Sequence, residues 1–529
     1  MNLLLDPLFR VRLQGQTIRA SLPELLALLG EDRVESLPGL QRHQEDAFHI
    51  FLCYLAGAVL DRQGQSEPKQ SAEFWCDGIR ALTAAEGCAN DDAWTLVVAD
   101  PTRPAFLQAP APSKAVFEQD YKPKAATPDA LDVLQTAKNH DIKAARGGHN
   151  NEEAWALALI SSQTMTGLLG KGNGGGMNRG ISRMNSGIGS RPRVGWLSSF
   201  RQGRQFIRDV SVLSQRRAAM VEPPFPYQSQ GKAFLWIRTW EGSTGQALGS
   251  LDPFFIEVAR RYRLCPGPEG LHLLSAGSAV TFIAGAEELK GNLGDPWIPI
   301  NLKTNGALTV VESGLYTDLL RRLIFPDADG KTDFKPAMMQ EIPAGEGAGW
   351  ISASVLARGN GTTDGFHEAT IRVPEKVRPV LFGKNPKKER LASLSKKGVE
   401  TASGIRYALR NALFSLMTGG DHSTYQDQKK KKEISHWTES AAKPFDDEWR
   451  HHYFDWLWST LDQPDDVTAL QPWFERLRAL AETTLEQAIQ RVPQRSGRSY
   501  RAKTKARGLF HSALKKHFSN YLEATHEHP

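Results

Sequence analysis

At 529 residues the chain is too long for one hydrophobic core, so about two to four domains are expected. Its 40% hydrophobic and 23% charged residues are those of a soluble globular protein. Four cysteines (Cys53, Cys76, Cys88, Cys265) lie far apart with no CxxC pair, which argues against a zinc ribbon or a disulfide framework and fits a reducing cytosol. The net charge of +6 is unevenly placed: residues 1–384 balance 41 basic against 41 acidic side chains, whereas residues 385–529 carry 24 against 18. A basic tail domain points to nucleic acid or an acidic partner, with a solvated basic face as the plain alternative.

The opening MNLLLDPLFRV has no basic n-region and no long apolar run, so it is not expected to be a signal peptide, and a cytoplasmic location is expected. Residues 1–20 alternate as strands do. A helix is predicted at 21–30, with Ser21 as N-cap, Pro23 in the first turn and Glu24 three residues after the cap. The longest apolar run, Ala47 to Leu60, contains His49; its 14 residues are too few for a bilayer and read as a buried helix. Another helix is predicted near 71–86, then a Pro-rich irregular stretch over 99–127, a short helix from Asp129 to Thr136, a polar loop (138–151) and a helix over 152–166. Strand-like pieces follow at 233–240 and 279–285, with turns at 291–299 and 358–365. From Ala402 four helical segments are predicted, at about 402–418, 445–461, 467–491 and 497–522, separated by loops of which 419–444 is the longest. The expected fold is α+β: a large mixed α/β domain over 1–384, then a C-terminal antiparallel four-helix bundle over 385–529.

The densest chemical signal is Gly167 to Arg208. It holds eleven glycines and eight Lys or Arg, with no Asp or Glu. Glycine lets a backbone approach another surface closely, and arginine offers a fork of donors suited to phosphate. The segment therefore reads as a polyanion-facing surface, with a flexible loop as the alternative. It is not a nucleotide-binding P-loop, because Lys171 is followed by Gly172 rather than Ser or Thr. His140-Asp141, Asp421-His422 and His451-His452 are isolated pairs without converging ligands, and no GxSxG elbow is present. No catalytic residue, metal site or cofactor is expected. A second basic face runs from Arg491 to Lys516 without an acid, and Arg358 to Thr363 reads as a hairpin tip.

Taken in order, these pieces resemble the large subunit of the type I-E CRISPR Cascade complex, the CasA family. The resemblance is carried by MNLLLDPLFRV at the start, Arg103 to Gln108, Lys138 to Ile142, Gly174-Gly175-Gly176 followed by Arg179-Gly180, and Gly404 to Leu413. It implies a non-catalytic subunit that reads the protospacer-adjacent motif of double-stranded DNA from the minor groove, parts the strands to begin an R-loop, and recruits an effector helicase-nuclease. Its other expected partners are the backbone, handle-binding and small Cascade subunits with the guide crRNA, and no membrane. By this resemblance Gly174, Gly175, Gly176 and Arg179 form the motif-reading loop. Asn360, Gly361 and Thr362 form the wedge, and Lys290 is the groove lysine with Lys303 behind it. Asn139, His140 and Ile142 dock on the guide-RNA handle, although Asp141 follows where the family often has an aromatic. Arg495, Arg498, Arg501 and Lys505 hold the displaced strand. Some members carry a cysteine cluster near the position of Cys265; with one cysteine there, no zinc is expected. The alternative from a different class is a metal-dependent nuclease using His140, Asp141 and His149, and a third is a scaffold that binds protein alone.

Overall fold

The computed structural model describes residues 1–131, 150–165, 192–222, 225–280, 282–285, 288–310, 314–325, 333–342, 347–358, 363–383, 385–419, 428–492 and 496–524. It has two compact units, Met1–Tyr316 with Asp333–Arg372, and Thr317–Thr332 with Val373–Pro529. The expected boundary at 384/385 falls inside the second of these.

In unit 1 the alternating opening folds as a hairpin, β1 (Phe9–Leu13) on β2 (Gln16–Ala20), turning through Gln14 and Gly15 at φ 48 and 77. Positive φ at both positions matches the twist of the two strands. Helix α1 (Leu22–Gly30) starts as predicted, the Ser21 N–H donating to Glu24 Oε2 at 2.7 Å. Helix α2 (Arg42–Arg62) is the spine of the unit: every residue from Asp46 to Leu60 is buried, as a helix apolar on all sides requires. It is packed by α3 (Ala72–Ala85), and further along the chain by α6 (Glu152–Thr164), α7 (Gln202–Val221) and β6 (Leu251–Ile256). Between them, the stretch expected to be irregular holds α4 (Lys114–Asp120), capped by Ser113, then β3 (Lys122–Ala125). The short helix α5 spans Pro128–Leu131, and the rest of its expected span is not among the described residues.

The strand expected at 233–240 is shorter. After β5 (Lys232–Phe234) the chain turns into a 3-10 helix at Leu235–Ile237. Ala233 through Trp236 are all buried, which an alternating strand on one core face does not allow, and Trp236 Nε1 donates to the Ala93 carbonyl at 2.7 Å. Likewise the described residues of 279–285 make one bridge, Gln246 to Ile283, and no strand. The substantial strands lie elsewhere, in β6, in the hairpin of β7 (Arg261–Gly267) with β8 (Gly270–Ala276), and in a sheet ordered β13-β12-β4. That sheet joins β4 (Arg193–Leu197), β12 (Gly349–Arg358) and β13 (Thr363–Val373). The two-residue strands β9 (Ile300–Asn301), β10 (Gly306–Ala307) and β11 (Phe334–Lys335) make a further small sheet.

Unit 2 is helical. Helices α8 (Thr317–Ile324) and α9 (Arg378–Phe382) precede α10 (Lys387–Met417), α11 (Gln428–Ser459), α12 (Asp466–Arg491), α13 (Ser496–His517) and α14 (Ser519–Ala524). Helix α10 packs against α8, α9, α11, α12 and α13. Both α10 and α11 begin well before their predicted starts. Leu391, Ala392 and Leu394 extend the buried stripe of α10 backwards, and α11 runs through Pro444 to take up much of the loop expected over 419–444. A knot of aromatic rings fixes these helices: Trp456 stacks on Trp473 at 4.7 Å, Tyr453 Oη donates to the Ser395 carbonyl at 2.6 Å, and Trp473 Nε1 donates to the Gly398 carbonyl at 3.1 Å. Among the described residues no helix is long and apolar enough to cross a membrane.

Candidate nucleic-acid interface

The sheet β13-β12-β4 places two of the segments singled out by sequence. In the antiparallel register Trp350 faces Leu197 and Ser354 faces Arg193. The direction in which β12 runs towards Arg358 is therefore the direction from which the chain enters β4. The Gly/Arg-rich segment joins the sheet at the end where residues 359–362 link β12 to β13.

The described residues that flank 166–191 are pinned on both sides by buried polar groups. On the C-terminal side, Asp46 of α2 accepts from Arg193 Nη1 at 2.6 Å and from the Ser354 hydroxyl, tying β4 to β12. On the N-terminal side, the last turn of α6 is held by Gln163, which is fully buried. Its Nε2 donates to the carbonyls of Leu107 (2.9 Å) and Arg260 (3.0 Å), and its Oε1 accepts from the N–H groups of Ala259 and Arg260, each at 2.9 Å. Two donors and two acceptor sites are all an amide offers, and each is used. The Tyr262 and Ser162 hydroxyls, 3.0 Å apart, and an Arg260 guanidinium bond to the Ser162 carbonyl complete the anchor. Sequence inspection missed this anchor because its partners lie about a hundred residues away.

Gly174, Gly175, Gly176 and Arg179, the docking residues Asn139, His140 and Ile142, the wedge residues Asn360, Gly361 and Thr362, and Arg495 all fall outside the described residues, as do Asp141 and His149. Arg498 lies in the first turn of α13. Arg501 and Lys505 follow on that helix, four residues apart and so on one face, while Ala502, Ala506, Phe510 and Leu514 form its buried stripe. Arg501 is exposed, with the 79% exposed ring of Tyr500 beside it, and Lys505 is half-buried. Arg507 is bound to Glu486, its Nε 2.6 Å from Oε1. Lys290 is exposed at φ 51, and its Nζ donates to the Thr304 carbonyl at 3.1 Å. Lys303 lies beside Thr304 in the turn over 302–305, its Nζ 3.2 Å from Asp333 Oδ1. The structure thus brings Lys290 and Lys303 together at one exposed corner.

Among the described residues, one group of potential metal ligands converges. His49, Cys53 and Asp209 offer atoms within 4.8 Å of one another, all buried. Asp209 is already neutralised by Arg208 Nη1 at 2.6 Å and Arg193 Nη2 at 3.9 Å, and hydrogen-bonded to His49 Nε2 at 2.7 Å. Burial acts to raise its pKa, but the two guanidiniums and the His49 hydrogen bond outweigh it and hold the carboxyl well below the usual range. Burial, reinforced by Arg193, lowers the pKa of His49, and burial raises that of the Cys53 thiol. Two guanidiniums beside the shared carboxylate would repel a metal cation, so the cluster reads as a charge network joining α2, β4 and α7.

This architecture, a mixed unit with a tethered three-stranded sheet and a helical unit centred on α10, is that of one class of solved proteins, the CRISPR-associated CasA or Cse1 proteins. CasA from Thermus thermophilus matches 98% of this chain over 99% of its own length, with a TM-score of 0.64 at 14% identity. Cse1 from Acidimicrobium ferrooxidans matches 98% of this chain over 98% of its own, with a TM-score of 0.62 at 14% identity. A chain of a CRISPR RNA-guided surveillance complex covers 96% of this chain and 99% of its own, at TM-score 0.59 and 11% identity. No protein-family model matches the sequence, and no curated protein matches it. The chain has the CasA fold over essentially its whole length.

Proposed function

We propose that this chain is the non-catalytic large subunit of an RNA-guided CRISPR Cascade complex. It recognises the protospacer-adjacent motif in double-stranded DNA, parts the strands beside it, and recruits the effector helicase-nuclease. The observation that carries this is the sheet register, in which the Gly/Arg-rich segment and the 359–362 link leave one sheet at the same end. The full-length likeness to CasA, Cse1 and a chain of a surveillance complex supports it.

Gly174, Gly175, Gly176 and Arg179 approach the minor groove of the flanking motif. That groove separates A·T from G·C pairs and little more, so glycine-based contact there gives tolerant motif reading while guide pairing reads the target sequence. Lys290, backed by Lys303, supplies a groove cation. Asn360, Gly361 and Thr362 act as the wedge. Unstacking costs a few kcal/mol per step, and contacts from Arg495, Arg498, Arg501 and Lys505 to the displaced strand offset it. Asn139, His140 and Ile142 seat the subunit on the guide-RNA handle and its neighbouring subunits.

The test is target-duplex binding by the guide-RNA complex assembled with wild-type chain or with Gly174 to Gly176 replaced by leucine. The replacements are expected to abolish flank-dependent binding and leave the circular dichroism unchanged. Undiminished binding by the leucine variant would remove the groove role.

A further inference from the structure

Helix α13 turns one bare position to solvent. Ala502, Ala506, Phe510 and Leu514 are its buried stripe, and Gly508 lies on the opposite face, exposed. A Cβ built there would meet none of the described residues within 4 Å, and the glycine's φ lies outside the left-handed region. Neither packing among those residues nor backbone conformation calls for glycine at this place. In a helix interior it is nevertheless the least favourable residue after proline. Gly398 of α10 is the contrast, since there a Cβ would overlap the Trp456 ring. What approaches Gly508 comes from outside the chain.

We propose that Gly508 is the point of closest approach of one DNA strand, whose sugar-phosphate backbone runs lengthwise along this face of α13. The inference rests on the proposed function and deepens it, adding a contact point and a path to the surface that holds the displaced strand. Arg501, Thr504 and Lys505 precede Gly508 by seven, four and three residues, and His511, Ser512 and Lys515 follow it by three, four and seven, so all share its face. From Arg501 to Lys515 the helix rises about 21 Å, room for several phosphates. Thr504 and Ser512, both exposed and short, continue the floor on either side of the glycine. Their hydroxyls can donate to phosphate oxygens. Arg501 and Lys515, also exposed, stand at the two ends, and the 79% exposed ring of Tyr500 offers a stacking face at the Arg501 end. No Asp or Glu lies between Arg491 and Lys516, and Glu486 of α12 is taken by Arg507 on the flank of the helix. A floor without side chains brings the helix backbone itself against the ligand, which suits a continuous polyanionic backbone. An acidic protein segment would meet arginines and lysines at the tips of their side chains and needs no bare turn. A surface one helix wide fits a single strand.

The experiment uses the full chain as wild type, Gly508→Ala and Gly508→Leu. It reads the thermal midpoint of each chain, and the affinity of each guide-RNA complex for a target with a pre-opened bubble and for the same target closed. Gly508→Ala should raise the midpoint, because alanine is the better helix former and the position is open. It should nevertheless weaken binding of the opened target by about fivefold, and Gly508→Leu should weaken it further. Flank-dependent binding of the closed target should be unchanged. A purely structural role would move stability and binding in the same direction. Undiminished binding of the opened target by both variants, a lower midpoint in Gly508→Ala, or equal losses on closed and opened targets would overturn the strand path over Gly508 and leave the proposed function standing. Variants that fail to enter the complex would assign the face to a protein partner and overturn it as well. If adding the wild-type chain changes neither binding nor opening, the proposed function falls with it.

Discussion

At the scale of single residues, buried charge is resolved locally. His49 sits between the carboxylate of Asp209 and the field of Arg193, and burial with that arginine keeps it neutral in the fold. An unfolded histidine titrates near about 6.5. Below that pH the unfolded chain takes up a proton that the folded chain refuses, so the contribution of His49 is fully present above about 6.5 and is lost as pH falls. The slope reaches at most about 1.4 kcal/mol per pH unit. Urea midpoints measured from pH 7.5 down to 5 should fall, and His49→Gln should flatten that fall. A midpoint that rises on acidification would mean that His49 is held as a cation. The same charge network could not be read from sequence. Asp46 joins Arg193 and Ser354 across 147 and 308 residues, and no local pattern announces such partners.

At the scale of elements, what the sequence pattern shows is what local physics dictates. Helices with caps and a steady apolar period were legible: Ser21 with Glu24 marks α1, and the apolar run at Ala47 marks α2. The strands were not. Leu251 to Ile256 is buried throughout and has no alternation to detect, and the run at 233–240 looked like a strand because its aromatics serve a core that surrounds them. Within unit 2 the meeting of α10 with α11 depends on Gly398, where a Cβ would overlap the Trp456 ring and press on Tyr453 at 3.3 Å. Gly398→Ala should therefore destabilise the unit by about 1–3 kcal/mol, despite alanine's better helix propensity, because overpacking outweighs it. Thermal unfolding checks this, and a higher midpoint would refute tight packing there. On α13, reversing the charge of Arg501 and Lys505 should weaken the opened complex more than motif-dependent first binding. It should also reduce the salt slope of the opened complex by about 0.7 per lost phosphate contact on a single strand. Equal losses at both stages would argue against a separate role in holding the displaced strand.

At the scale of the whole molecule, composition and order carried more than any one motif. The uneven charge, the acid-free Gly/Arg segment and the C-terminal helices were visible in the sequence, and solved CasA and Cse1 structures share the resulting fold at 14% identity, as does a chain of a surveillance complex at 11%. The bare turn at Gly508 was not legible, since a sequence marks the glycine and not the open space around it.

The central claim is tested most directly by permanganate footprinting of target duplexes with varied flanking trinucleotides, using the guide-RNA complex assembled with and without this chain. Thymines beside the motif should become reactive only when the chain is present and only with a subset of flanks. Reactivity that is the same without the chain, or indifferent to the flanks, would contradict a motif-reading, strand-parting subunit.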